Sequence, residues 1–375
     1  MTGMEGLRIL ITTDAVGGVW VFSSLLARAL ARRGAEVSLV TLGPAPKAEQ
    51  LTPLRSEPSI ELVVTDFALE WMDPERRDID RTRTGLARIA RQQRPDLVHI
   101  NGYREALVDW RLPVLLTAHS CVRSWWLACR GHEPPQERWD GYIADVAAGL
   151  AAVDLWAAPS AAFRDTMQTL YSPAHAGKVI HNGADATHGI ARKQPLIVAA
   201  GRLWDEAKNV KAIVAAAGRL DWPIQLAGAP PEHAGCVANL RFLGELPRCD
   251  LLALMARADI FVAPALYEPF GLGVLEAAMS GCALVLSDIP SFRELWTGAA
   301  LFVDPHDALA LASALQRLCK DTELRKQLAH AAARRARRYS VTAMIDAYCG
   351  AYCTLLSSPL VNPLGSAPVL QESRA

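Results

Sequence analysis

Glu268 and Glu276 stand on either side of a Pro-Phe-Gly-Leu-Gly turn in "YEPFGLGVLEAAMSG" (267–281). Helical residues at that spacing lie about 80° apart around the axis, so the two carboxylates cannot share one helix face. The pattern reads better as a strand–loop–helix corner, with Gly271 to Gly273 leading into a helix over 273–280. A phosphate suits the helix N-terminus, where free N–H groups and the helix dipole meet an anion. A carboxylate beside that phosphate would be repelled, so hydroxyls of a sugar or a ribose are the better partners for both glutamates. Considered alone, an acid in a first helical turn only stabilises the helix by about 0.3–1 kcal/mol.

Two further corners carry residues of the same use. In "AAGRLWDEAKN" (199–209), Arg202 directly follows a strand-like run and Lys208 opens the next helix. Arg can clamp two oxygens and Lys supplies a compact charge, so the pair suits a diphosphate. A solvated loop charge is the commoner fate of either residue alone. In "TDAVGGVW" (13–20), Gly17 and Gly18 bring bare backbone to a helix start, which serves a phosphate or simply a tight turn. The spacing is not GxGxxG, so it gives no support to ordinary NAD or FAD binding.

Two features stand apart from the charges. His119 ends the run "PVLLTA"; a lone histidine there is more often a hydrogen-bonded structural residue than a ligand contact. Beyond it "AHSCVRSWWLACRGH" (118–132) carries Arg123, Trp125, Trp126 and Arg130. The tryptophans read first as packing, with a stacking platform for a sugar or a wedge on a membrane surface left open.

Elements that could position these residues alternate along the chain. Strand-like runs occur at 7–12, 36–42, 60–65, 96–100, 113–118 and 154–159. A second series follows at 195–201, 223–228, 240–244, 259–264, 283–287 and 300–304. Helix-length segments fill the gaps, which implies parallel sheets with crossover helices. The segment 178–194 is polar and suits a linker, 341–357 reads as a helix, and 358–375, with three prolines, as a tail without fixed structure. The expected fold class is therefore α/β, with two Rossmann-like doubly wound domains, 1–185 and 186–340. Ligands of open α/β sheets bind at the carboxyl ends of strands, which here means the cleft between the domains.

The 375 residues exceed one ordinary core. Lys plus Arg and Asp plus Glu each total 39, so no net charge draws the chain to nucleic acid. No apolar run reaches the roughly 20 residues of a membrane span, and the start lacks a leader pattern, so the expected location is cytoplasmic. Eight cysteines show neither CxxC nor metal spacing, which reads as reduced thiols and no metal. The basic run "ARRARRY" (333–339) ends a helix, where cations complement the dipole; contact with anionic headgroups at the inner face of a membrane is the lesser reading.

Taken in order, "DAVGGV", "LTAHS", "APSAAF", "VIHNGAD", "AGRLWDEAKN", "LLALMARADIFVAPALYEPFGLGVLEAAMSG" and "GAALFVDPHD" resemble the family-four retaining glycosyltransferases of the GT-B fold, with their E-x7-E signature. The likeness covers most of the chain. It implies that Arg202 and Lys208 bind the diphosphate of a nucleotide-sugar. Glu268 and the backbone of Phe270, Gly271 and Leu272 would hold the donor sugar, and Glu276 the ribose. Gly17 and Gly18 would face the phosphates. His119 matches an active-site histidine near the sugar and leaving group, and the 341–357 helix would cross back onto the N-terminal domain. "SGCALVLS" lacks the usual proline, and Ala265 stands where serine is frequent; neither change removes a charged or backbone contact.

The expected activity is metal-independent, retaining transfer of a sugar from a UDP-, GDP- or ADP-sugar to a hydroxyl of a glycan, glycolipid or small molecule. His119, Glu268, Arg202 and Lys208 are its expected catalytic group, with no cofactor beyond the nucleotide-sugar co-substrate. With no carboxylate placed as a nucleophile, front-face displacement fits better than a covalent intermediate. Two other readings stay open at this point: a sugar-nucleotide epimerase of the same fold, which needs no acceptor, and a non-catalytic sugar-nucleotide-binding subunit. Peripheral membrane contact also stays open.

Overall fold

In a computed structural model the described residues are 4–185, 191–232 and 237–357. Thirteen strands form two parallel sheets. The first contains β1 (Arg8–Asp14), β2 (Glu36–Leu42), β3 (Ile60–Val64), β4 (Leu97–Ile100), β5 (Val114–Thr117), β6 (Leu155–Ala158) and β7 (Lys178–Val179). Its order is β3-β2-β1-β4-β5-β6-β7. The second contains β8 (Gln194–Ala200), β9 (Ile224–Ala227), β10 (Leu240–Gly244), β11 (Ala258–Ala263), β12 (Ala283–Ser287) and β13 (Ala300–Val303). Its order is β10-β9-β8-β11-β12-β13. In both sheets the order reverses beside the first strand, and helices cover both faces. This is the two-sheet, doubly wound architecture read from the alternating pattern.

The apolar runs become strands because both faces of each sheet are covered. Every residue of β4, β5 and β12 is buried, as parallel strands between helical layers require. The helices are amphipathic instead. The helix Gly18–Ala31 buries Trp20, Phe22, Leu26, Ala27 and Leu30 on one side. Helix starts are capped where the sequence offers a cap: Ser160 accepts from Phe163 N, and Asp307 from Leu309 N and Ala310 N.

The structure adds to the reading of 178–194. Lys178 and Val179 are not linker but pair with Ala157 and Ala158 as an edge strand, too short to leave a periodic signal. Residues 186–190 of that segment and the whole of 358–375 lie outside the described residues. The helix Val341–Ser357 packs on the helix Gly18–Ala31 and buries Met344, Ile345, Tyr348 and Tyr352 in the core of the first sheet. Among the described residues no helix is long and apolar enough to cross a membrane.

Candidate active site

All three chemistry-bearing corners lie at carboxyl ends of parallel strands, and the two sheets turn those ends toward each other. They enclose a cleft of about 470 Å³ lined by Gly17, Gly18, His119, Arg202, Lys208 and Glu268, together with Phe270, Gly271, Leu272 and Glu276. The sequence-derived candidates therefore converge on one space. Gly17 and Gly18 form the opposite wall to the second sheet: a Cβ on Gly17 would stand 3.9 Å from Arg202 Cδ, and one on Gly18 3.7 Å from Leu272 Cδ1. Bare backbone thus faces the cations across the cleft. Gly271 caps the helix Leu272–Met279 at φ 89°, a left-handed conformation that suits glycine. That turn releases the N–H groups of the first helical turn toward the cavity.

On the second-sheet wall each cation has a carboxylate partner. Lys208 Nζ donates to Glu268 Oε2 at 2.6 Å, and Arg202 Nη2 to Asp205 Oδ2 at 3.0 Å. Arg248 approaches Glu276 Oε1 at 2.6 Å. Glu276 is only 5% exposed, and burial raises its pKa above the ordinary carboxylate value while Arg248 pulls it back. Asp14 of β1, whose Oδ1 accepts from Val16 N at 2.7 Å, is likewise raised by burial and lowered by Arg202. A ligand anion entering here meets cations held in place by exchangeable partners rather than free ones.

Around His119 the first-sheet wall is neutral. His119 Nε2 lies 2.7 Å from Asn101 Oδ1, and the ring packs edge-on to Phe22 at 4.7 Å between centroids. Burial pushes its pKa down to about 3. Behind it His99 is fully buried, with Nδ1 2.7 Å from Tyr352 Oη and Nε2 2.7 Å from Thr117 Oγ1. Its pKa also falls to about 3, by burial and by the neighbouring His119. Tyr348 Oη completes the chain 3.0 Å from Thr117 Oγ1. The last helix therefore supports the histidine wall from behind.

Side chains also bridge the walls. Trp125 Nε1 donates to Asp205 Oδ1 at 3.0 Å, and Arg130 pairs with Glu206 at 3.0 Å while its guanidinium lies 4.7 Å from the Trp126 ring centre. Tyr267 Oη meets Ser124 Oγ at 2.8 Å. Ser160 Oγ donates to the Pro269 carbonyl at 2.7 Å, and Glu294 accepts from Ala161 N and Ala162 N at 2.9 and 2.7 Å. Trp125 is thus neither buried packing nor a free platform; it lines the cleft and ties Asp205 in place.

Sequence reasoning passed over several lining residues. Asp205 lay inside a quoted motif but carried no signal apart from Arg202. Arg248 follows Pro247 at a helix start and reads as an ordinary surface charge. Asn101 follows β4 within "HINGY" with nothing to mark it. Leu251 and Met255, on the same helix as Arg248, also line the cleft.

Comparison with known proteins bears on the family and the fold. Residues 16–188 match the family model "Glycosyltransferase Family 4", and residues 184–335 match "Glycosyl transferases group 1". The chain is 30% identical over 281 residues to a glycogen synthase of Mycobacterium tuberculosis, an alignment covering 65% of each. It therefore spans about 65% of the length of the curated relative it matches. It is 32% identical over 165 residues to a phosphatidyl-myo-inositol mannosyltransferase of Mycolicibacterium smegmatis, covering 40% of this chain and 43% of that one. Among solved structures, the sucrose-phosphate synthase of Thermosynechococcus elongatus superposes with a TM-score of 0.78 at 19% identity, covering 94% of this chain and all of that one. The Anabaena protein HepE, solved with UDP and glucose, gives 0.73 at 17%, covering 93% of this chain and all of that one.

Proposed function

Since the chain belongs to the family-four glycosyltransferases and carries their GT-B fold, we propose that it transfers a sugar from a nucleotide-sugar donor to a hydroxyl acceptor, with retention and without a metal. The observation that carries this is the convergence of Arg202, Lys208, the glycine corners and the start of the helix Leu272–Met279 on one cleft. A nucleoside diphosphate offers the charge those groups complement. In the ligand-free protein Arg202 and Lys208 are held by Asp205 and Glu268. The entering diphosphate takes up the cations, and Glu268 is released to accept from a donor-sugar hydroxyl. Glu276, buried and paired with Arg248, accepts from the ribose.

In this reading the developing charge on the leaving diphosphate is met by Arg202, Lys208 and backbone N–H groups, which need no reorganisation as the bond breaks. The leaving phosphate oxygen takes the acceptor proton on the same face of the sugar. The acceptor enters from the first-sheet wall, past His119 and Trp125. The names of the relatives support nucleotide-sugar chemistry: one structural neighbour is described in complex with UDP-glucose, and curated relatives are described as sugar transferases or glycogen synthases.

A thermal-shift panel of UDP, GDP, ADP and dTDP with their sugars tests this. One nucleotide should raise the melting temperature, since a hundredfold excess over the dissociation constant adds about 2.7 kcal/mol. Uniformly flat responses would remove the proposal. The anomeric configuration of the product, read by NMR, and turnover in EDTA then test retention and metal independence separately.

A further inference from the structure

One hydrogen in the cleft can be placed from heavy atoms alone. The Asn101 amide nitrogen lies 2.6 Å from the Thr12 carbonyl oxygen, which can only accept, and 3.3 Å from Ser23 Oγ. Turned over, the amide would set its oxygen against that carbonyl. Asn101 Oδ1 is therefore the atom 2.7 Å from His119 Nε2, and an amide oxygen needs a donor there. Asn101 cannot drift away, because its backbone N–H donates to Thr12 Oγ1 at 3.0 Å, and Thr12 Oγ1 is itself held by Glu105. The Phe22 edge fixes the plane of the imidazole. His119 Nδ1 has no hydrogen-bond partner among the described residues and is not sealed from the cavity.

We propose that Asn101 is a positioning residue that locks His119 in the Nε2–H tautomer and leaves Nδ1 as a lone-pair acceptor in the cleft. Whatever meets Nδ1 must then bring a hydrogen. A sugar hydroxyl does; an ionised phosphate oxygen does not, and lone pair would face lone pair. His119 thus reads a hydroxyl of the bound sugar or of the acceptor, and it does not serve as the acid for the leaving phosphate. The identity of that hydroxyl-bearing ligand rests on the function proposed above, while the tautomer does not. The charged or titratable neighbour on the far side of the ring is His99, which burial keeps neutral. Glu105 touches Thr12 rather than the imidazole.

The test is a two-bond proton–nitrogen spectrum of the full chain with labelled histidine, ligand-free, between pH 6 and 8. His119→Gln identifies the resonances. The native protein should show a protonated Nε2 and a bare Nδ1; the opposite tautomer overturns the proposal. Asn101→Leu removes the acceptor and should give a mixture of tautomers, with kcat lowered roughly tenfold. Asn101→Asp keeps an oxygen opposite Nε2 and, protonated on its other oxygen, donates to the Thr12 carbonyl as the amide does, so it should keep the native pattern. A cooperatively melting Asn101→Leu protein with an unchanged spectrum also overturns it. If Asn101→Leu does not fold, the native and Asn101→Asp spectra decide alone. A native protein with the expected tautomer but no turnover of any nucleotide-sugar would sink the proposed function and leave this assignment standing.

Discussion

The two walls of the cleft solve the same problem by opposite means. The wall on the second sheet is ionic: Arg202, Lys208 and Arg248 each meet a carboxylate at 3.0 Å or less. The wall on the first sheet is neutral, with His119 and His99 stripped of charge by burial and held by Asn101, Thr117 and Tyr352. Charges can be parked on one another and released to a ligand, because the pairs remain part-exposed and exchange partners at modest cost. A neutral network has no such reserve. Each of its hydrogen bonds sets an orientation, and a missing partner leaves a buried polar atom that costs about 1–3 kcal/mol. The ionic wall suits charge that arrives with a ligand; the neutral wall suits a hydroxyl whose direction matters.

The contrast breaks most sharply if the ionic wall loses its point charge. Lys208→Met removes the ammonium while keeping much of the stem, and leaves Glu268 without its partner. Turnover should fall by about 10²–10³-fold, the range for losing one donor to a developing anion. Steady-state kinetics with the nucleotide-sugar found by thermal shift would show it. A variant within threefold of native would mean that the wall's charge serves folding and not transfer.

Acid and alkali should act on the neutral side in opposite senses. His99 and His119, lowered to about 3, contribute stability that is present above the unfolded value near 6.5 and is lost as pH falls toward 3. Glu70, whose Oε2 accepts from Arg104 N at 2.7 Å, and Glu105 are raised by burial to about 7 and about 8; they contribute stability that is present below 4.5 and is lost as pH rises through those values. Between 4.5 and 6.5 the two pairs oppose each other. From these four groups the melting temperature should be nearly flat there, fall toward pH 4, and fall again from 6.5 to 8. Glu105→Gln should flatten the alkaline fall; an unaltered alkaline limb would remove Glu105 from the explanation.

The smallest effect concerns the bridge between the walls. Trp125→Phe retains a ring but loses the hydrogen bond to Asp205, worth about 0.5–1.5 kcal/mol. Asp205 should then hold Arg202 less firmly, and the donor KM should shift by a few-fold with kcat nearly preserved. A loss in kcat alone would place Trp125 at the reacting atoms instead.

Much of this molecule is legible without coordinates. Buried strands write continuous apolar runs, crossover helices write a 3.6-residue stripe, and Gly17, Gly18 and Gly271 mark corners of bare backbone. These are local signals, so the order of strands and helices, the doubly wound class and the placing of Arg202, Lys208, Glu268 and Glu276 at strand ends came from the sequence alone. β7 escaped because two residues have no period. Asn101 and His119, Trp125 and Asp205, and Arg248 and Glu276 are 18, 80 and 28 positions apart, in loops and helix starts with no common pattern. Which loops face each other depends on the strand order within each sheet and on how the two sheets dock. Packing across the whole chain sets both, and only the tertiary structure could decide that one wall of the cleft would be ionic and the other neutral.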